Sequence, residues 1–382
     1  MSGAVRPFTL SIPDEALADL KDRLARTRWP DKPPCAPWEL GTDGDYLQDL
    51  IAYWRDRFDW RGQEALLNSF PQQRVRLADV DMHLLHVPGK GPSPKPLLLC
   101  HGWPGSIFEF LDLIPRLTDP QRFGGDPADA FTVIAPSLPG YGLSFAPGQV
   151  RFGAEEMADR MAEVMQHLGY ARYVVQGGDW GGFVASRMAW RYPERLIGVH
   201  LNLLPLRRDQ TAEVAQSDEE RAHFANMAHW LKEETGYQWI QGTKPQTLAF
   251  ALADSPAGLA AWIVEKFQSW SDCGGVIERA VDRDRMLANI ALYWFTGATG
   301  SSFYPYYARM HRPWPIPHEA TIGVPTAYAS FPMEMIRPPR SLAERVFTNI
   351  RRWTVMPRGG HFAAMEQPEL LAGDIAAFVR DL

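Results

Sequence analysis

The 382-residue chain is 46% hydrophobic and 22% charged, a balance that suits a globular protein with a large core and excludes a disordered or fibrous one. Its net charge of −6 offers no basic surface to nucleic acid or to an anionic membrane. The three cysteines, Cys35, Cys100 and Cys273, are odd in number and far apart, which excludes a disulfide framework and a metal-ligand spacing and points to a reducing, cytoplasmic setting.

The first residues, Met1 to Pro7, lack the basic-then-apolar pattern of a signal peptide, and no apolar run reaches the ~18 residues of a membrane span. Pro13-Asp14-Glu15 opens a helix in which Leu17, Leu20 and Leu24 recur at helical spacing, with Pro30 as its stop. A second helix is expected over Tyr46 to Phe58, with Leu47, Leu50, Ile51 and Trp54 on one face. Strands follow at 74–78 and 82–87, then at 97–100 and 131–135. Residues 155–168 form an amphipathic helix, 173–176 a strand and 183–192 a helix ended by Pro193. From about Leu206 to Pro317 the chain is helical and aromatic, interrupted by Gly and Pro, and reads as an insertion over the sheet. Strands resume at 324–330 and 353–356, and a helix closes the chain over 368–380.

The alternation of strands and helices predicts an α/β fold, a mostly parallel sheet with helices on both faces. Its organisation is expected to be an N-terminal extension over 1–72 packed on the core, a core in two parts over 73–205 and 321–382, and a helical lid over 206–320.

The chemistry centres on Gly177-Gly178-Asp179-Trp180-Gly181. A strand, a sharp glycine-flanked turn and a helix form the nucleophile elbow of an α/β-hydrolase, where serine ordinarily stands. An aspartate there is already ionised at neutral pH and needs no base to attack. It can displace a leaving group at saturated carbon and form an alkyl ester. The plainer role for an Asp before a helix is an N-cap.

Glu334 and His361 follow later strands, in the chain order nucleophile, acid, histidine. Two glycines before His361 suggest an unusual turn that would present it as base. Glu334, the expected partner of that histidine, has a surface role as its alternative. His101-Gly102-Trp103-Pro104-Gly105 follows a strand at the place of the oxyanion loop. Because Pro104 has no N–H, the backbone N–H groups of Trp103 and Trp180 are the expected oxyanion donors.

These motifs, with Arg358-Gly359-Gly360-His361-Phe362-Ala363-Ala364 and Phe331-Pro332-Met333-Glu334, give the chain a resemblance to epoxide hydrolases of the microsomal type. Arg28-Trp29-Pro30 and Phe58-Asp59-Trp60-Arg61 resemble that family's N-terminal domain, so the likeness spans the whole chain. It implies Asp179 as nucleophile, His361 as base, Glu334 as its orienting acid, and two lid tyrosines that hold the epoxide oxygen. Tyr237 and Tyr304 stand where those would be, with Tyr306 and Tyr307 close by. The resemblance further implies no cofactor and no metal, and a small hydrophobic epoxide and water as reactants. The membrane anchor of the namesake branch has no counterpart, so a soluble form is expected; homo-oligomer formation is left open. A haloalkane dehalogenase shares the Asp-Trp elbow but binds halide with indole N–H groups. A ligand-binding protein that had kept the pocket without the reaction would be the remaining alternative.

Overall fold

The computed structural model describes residues 5–206 and 211–382; Met1 to Ala4, the start of the leader reading, and part of the expected lid boundary lie outside the described residues. The sheet is nine-stranded in the order β1-β2-β3-β5-β4-β6-β7-β8-β9. Its strands are β1 (Val5–Pro7), β2 (Gln72–Arg76), β3 (Asp81–Val87), β4 (Lys95–Cys100), β5 (Phe131–Pro136), β6 (Tyr173–Gly177), β7 (Leu196–Leu201), β8 (Thr326–Ser330) and β9 (Ile350–Val355). From β5 onward across the sheet all pairings are parallel, while β1, β2 and β3 form an antiparallel edge. Leu97, Leu98, Leu99, Val174 and Val175 are fully buried, which explains why β4 and β6 are continuous apolar runs: both of their faces are covered.

Three helices precede the core: α1 (Asp14–Ala25), α2 (Gly44–Asp56) and α3 (Trp60–Asn68). The main domain adds α4 (Leu113–Thr118), α5 (Ala154–His167) and α6 (Asp179–Arg191). Between β7 and β8 run α7 (Asp218–Glu233), α8 (Gly236–Thr243), α9 (Pro245–Asp254), α10 (Pro256–Trp270), α11 (Arg283–Thr296), α12 (Thr299–Ser302) and α13 (Tyr304–His311). The chain ends with α14 (Arg340–Ala343), α15 (Ala363–Glu366) and α16 (Pro368–Arg380). Helices α5 and α6 pack together, as do α4 and α16. Among the described residues no single helix is long and apolar enough to cross a membrane.

Strand β1, strand β7 and helix α3 are among the elements that escaped the sequence reading. Strand β1 adds the N-terminal segment to the sheet edge, opposite β2. Strand β7 is interrupted by Gly198 and His200, so its apolar run looks broken. Gly198 leaves room for the Phe378 ring, and buried His200 bonds Asp374 at 3.0 Å. Helix α3 follows α2 after a break of a few residues, and Asp59 marks its start.

The N-terminal helices also grip the helical segment between β7 and β8. The Tyr46 hydroxyl donates to Glu278 at 3.0 Å, Tyr53 to Asp284 at 2.8 Å, and Arg283 to Asp49 at 2.8 Å. Trp60 meets Phe295 of α11 edge-on, with ring centroids 4.8 Å apart. The expected contact with the core is therefore extended to α10 and α11.

Candidate active site

Asp179 is the first residue of α6, directly beyond β6, and its φ is +47°. A non-glycine residue in that region costs about 1–3 kcal/mol and persists only where the surroundings impose it. Here the imposing contacts are between backbones. A Cβ at Gly177 would overlap the carbonyl of Gly181, and one at Gly181 would overlap the carbonyl of Cys100. Gly181→Ala is therefore expected to lower stability by about 3 kcal/mol, because the obstacle is backbone at the end of β4. Denaturant unfolding would read this, and a variant as stable as the parent would show that the close approach is not required.

The Asp179 side chain does not cap its helix; Gly178 occupies the cap position. Its Oδ1 accepts from the Trp103 backbone N–H at 2.7 Å, and the Trp180 N–H also donates to the carboxylate. Both expected oxyanion donors thus converge on this carboxylate. The loop carrying Trp103 is braced by His101, whose Nε2 accepts from the Leu138 N–H at 3.1 Å and whose Nδ1 lies 3.1 Å from the Gly102 carbonyl. Burial draws His101 down to about 4, so it is neutral and structural. Gly102 has no Cβ because one would overlap the Asp179 carboxylate.

His361 and Glu334 are both buried, which removes the surface reading of Glu334. His361 Nδ1 lies 2.9 Å from Glu334 Oε2, and Nε2 lies 3.6 Å from Asp179 Oδ2. The two loops are joined where the Met333 N–H donates to the Gly359 carbonyl at 3.1 Å. Gly359 has φ +102°, as the paired glycines before His361 suggested. The His361 backbone N–H donates to the Trp270 carbonyl at 2.9 Å, so the end of α10 also fixes the histidine's backbone.

The charges are coupled. Burial alone would lower His361, but the charge and hydrogen bond of Glu334, with the charges of Asp179 and Glu109, carry it up to about 9. Burial raises Asp179 above the ordinary carboxylate value, opposed by the His361 charge and the N–H groups of Trp180 and Trp103. The site thus sets a poorly solvated carboxyl group beside an imidazole that holds its proton more tightly than a free one.

The lid tyrosines divide differently from expectation. Tyr237 on α8 is buried and stacks on Trp103, with centroids 5.3 Å apart and planes at 12°. Tyr306 on α13 is buried too, edge-on to Trp180 at 4.8 Å and 5.7 Å from Tyr237. Burial raises both phenols, and the charge of Asp179 raises both further. Tyr304 is not brought to this cluster. Its hydroxyl accepts from Arg312 at 3.0 Å, its ring stacks on Tyr307 at 5.7 Å, and Arg312 in turn pairs with Glu156. The reason is helix register: positions 304 and 306 point about 200° apart around one axis. The spacing of Phe303 and Tyr306, both buried on one face, was the available signal. Glu109, beside Asp179 and His361, was also missed, because nothing in its local sequence marks it.

Fold and site together define an α/β-hydrolase with a carboxylate at the nucleophile elbow. Residues 5–110 match the family model described as the epoxide hydrolase N terminus, and residues 95–204 that of the alpha/beta hydrolase fold. Epoxide hydrolase 1 of Oryctolagus cuniculus is 38% identical over 405 residues, covering 98% of this chain and 89% of the relative. The crystal structure of juvenile hormone epoxide hydrolase from Bombyx mori superposes with a TM-score of 0.89 at 30% identity, covering 99% of this chain and 94% of that one. Aspergillus niger epoxide hydrolase gives 0.84 at 30% identity, covering 99% and 96%. The chain belongs to the epoxide hydrolase family, and its reaction is hydrolysis of an ether bond.

Proposed function

We propose that this enzyme opens hydrophobic epoxides to vicinal diols in two steps, through an ester on Asp179. The observation that carries the reading is the placement of the Asp179 carboxylate, with Oδ1 bonded to the Trp103 N–H and Oδ2 facing His361 Nε2 at 3.6 Å.

In the first step Asp179 Oδ2 bonds to a ring carbon as that carbon's bond to the epoxide oxygen breaks. The released alkoxide takes a proton from a phenol, for which Tyr237 and Tyr306 are the candidates. Oδ1 is then the ester carbonyl oxygen, already beside the backbone N–H groups that would hold an oxyanion. In the second step His361, which gives up its resting proton to solvent once the Asp179 charge is gone, is oriented by Glu334 and accepts a proton from the water that attacks the Asp179 carbonyl carbon. The tetrahedral intermediate collapses and releases the diol, whose alkoxide oxygen takes that proton from His361. The proton left on the regenerated Asp179 carboxyl replaces the one given by the phenol. The aromatic surround of Trp103, Tyr237, Trp270, Phe303 and Tyr306 favours an apolar substrate over a charged one.

Single turnover in ¹⁸O-water provides the test. Because water attacks the enzyme's carbonyl, label is expected in the Asp179 carboxylate after the first turnover. Label confined to the diol would indicate direct hydration of the ring and overturn the reading.

A further inference from the structure

On the same two-step reading, we infer that Glu109 is the positioning residue for the hydrolytic water, which it holds jointly with His361 in a small chamber beside the Asp179 carbonyl.

A cavity of about 20 Å³ is bounded by Gly102, Glu109, Gln176, Asp179, Asn202 and His361. That is room for one water and for no part of a substrate. Its lining is polar enough to hold one. Gln176 is buried, and its Oε1 has no hydrogen-bond partner, although its Nε2 donates to Asn202 Oδ1 at 2.7 Å. A buried amide oxygen of this kind calls for a donor, and water supplies one.

Glu109 is placed by its backbone. It lies in the short turn Ile107–Phe110 after the Trp103 loop, with its N–H donating to the Ser106 carbonyl at 3.0 Å. The Ser106 N–H donates to its carboxyl. The carboxyl rests against Gly105, where any Cβ would overlap Oε1. The absence of a side chain at 105 is thus what admits the carboxyl to the chamber wall.

The groups that face Glu109 are His361, Asp179 and the Tyr293 hydroxyl of α11, which feels its charge. Burial pushes Glu109 up to about 8, with the His361 charge lowering it and the Asp179 charge raising it. Ester formation removes the Asp179 charge. Glu109 then loses an anionic neighbour and ionises more readily, and His361 loses one of the anions that hold its proton. Both changes prepare the second step: the imidazole accepts one hydrogen of the water, and the carboxylate accepts a hydrogen bond from the other. A lone pair is left for the carbonyl carbon.

The test is single-turnover kinetics with styrene oxide, which separates ester formation from ester release. Glu109→Ala is expected to release the ester roughly ten- to a hundredfold more slowly, the effect of losing one hydrogen bond to a charged acceptor, with formation changed by less than about threefold. The ester should then accumulate on the Asp179 peptide, read by mass. Glu109→Gln keeps an acceptor oxygen, so release at neutral pH should largely recover. A purely structural role would not move the ratio of the two rates. If the parent enzyme forms no ester at all, the two-step reading fails. If the parent forms and releases the ester, and either Glu109→Ala releases it equally fast or Glu109→Gln releases it as slowly as Glu109→Ala, the inference about Glu109 fails and the two-step reading stands.

Discussion

Replacing His361 by glutamine is expected to leave an enzyme that forms the Asp179 ester and cannot release it. Glutamine fills similar space and can still donate to Glu334, but it cannot take a proton from water. Loss of a positioned base costs about 10²–10⁴-fold, so release should fall by at least about 10²-fold. Ester formation should persist with a shifted pH dependence. His361 lowers the pKa of Asp179, so its removal lets burial raise that carboxyl further, and the ionised form needed for attack appears at higher pH. Mass analysis of the Asp179 peptide after brief exposure to styrene oxide should show the parent mass plus one substrate. Normal multiple turnover by the variant would mean that the base lies elsewhere.

The tyrosines offer the second large effect. Tyr237→Phe and Tyr306→Phe should each slow ester formation by about 10²-fold, because each removes a phenol at the position where the alkoxide develops. Tyr304→Phe should change it by less than about threefold, since its hydroxyl serves Arg312. The readout is the ester-forming phase in a single turnover, with ester release unaffected in all three. Equal damage from Tyr304→Phe and Tyr306→Phe would remove the basis for preferring Tyr306. Tyr237 and Tyr306 pack on the indoles of Trp103 and Trp180, the residues whose backbone N–H groups reach the Asp179 carboxylate, so the segment between β7 and β8 and the elbow share aromatic contacts. Tyr237 lies flat on Trp103, and Tyr306 stands edge-on to Trp180.

The contrast between Tyr304 and Tyr306 shows where reading the chain alone stops. Sequence reading chose Tyr304, and a two-residue shift within one helical turn selects the opposite face. Which face turns inward depends on α13 packing against α8, and that contact links residues far apart in the chain. Glu109 is a similar case. Its carboxyl becomes part of the site because Gly105 yields space and because His361, some 250 residues later, is brought beside it. Strand β7 was hidden for a related reason: Gly198 and His200 break its apolar pattern, yet each has a buried partner on α16.

The amino-acid sequence by itself determined the elbow, the oxyanion loop and the order Asp179, Glu334, His361. These are local signals, in which glycines, a preceding apolar strand and a following helix act within a few residues of one another. The tertiary structure alone decided which phenols face the nucleophile, how the N-terminal helices clasp α10 and α11, and which carboxyl shares the chamber with His361. The difference is physical: backbone strain and strand burial are written in neighbouring residues, while the facing of a side chain and the charge on a buried acid depend on what long-range packing sets against them.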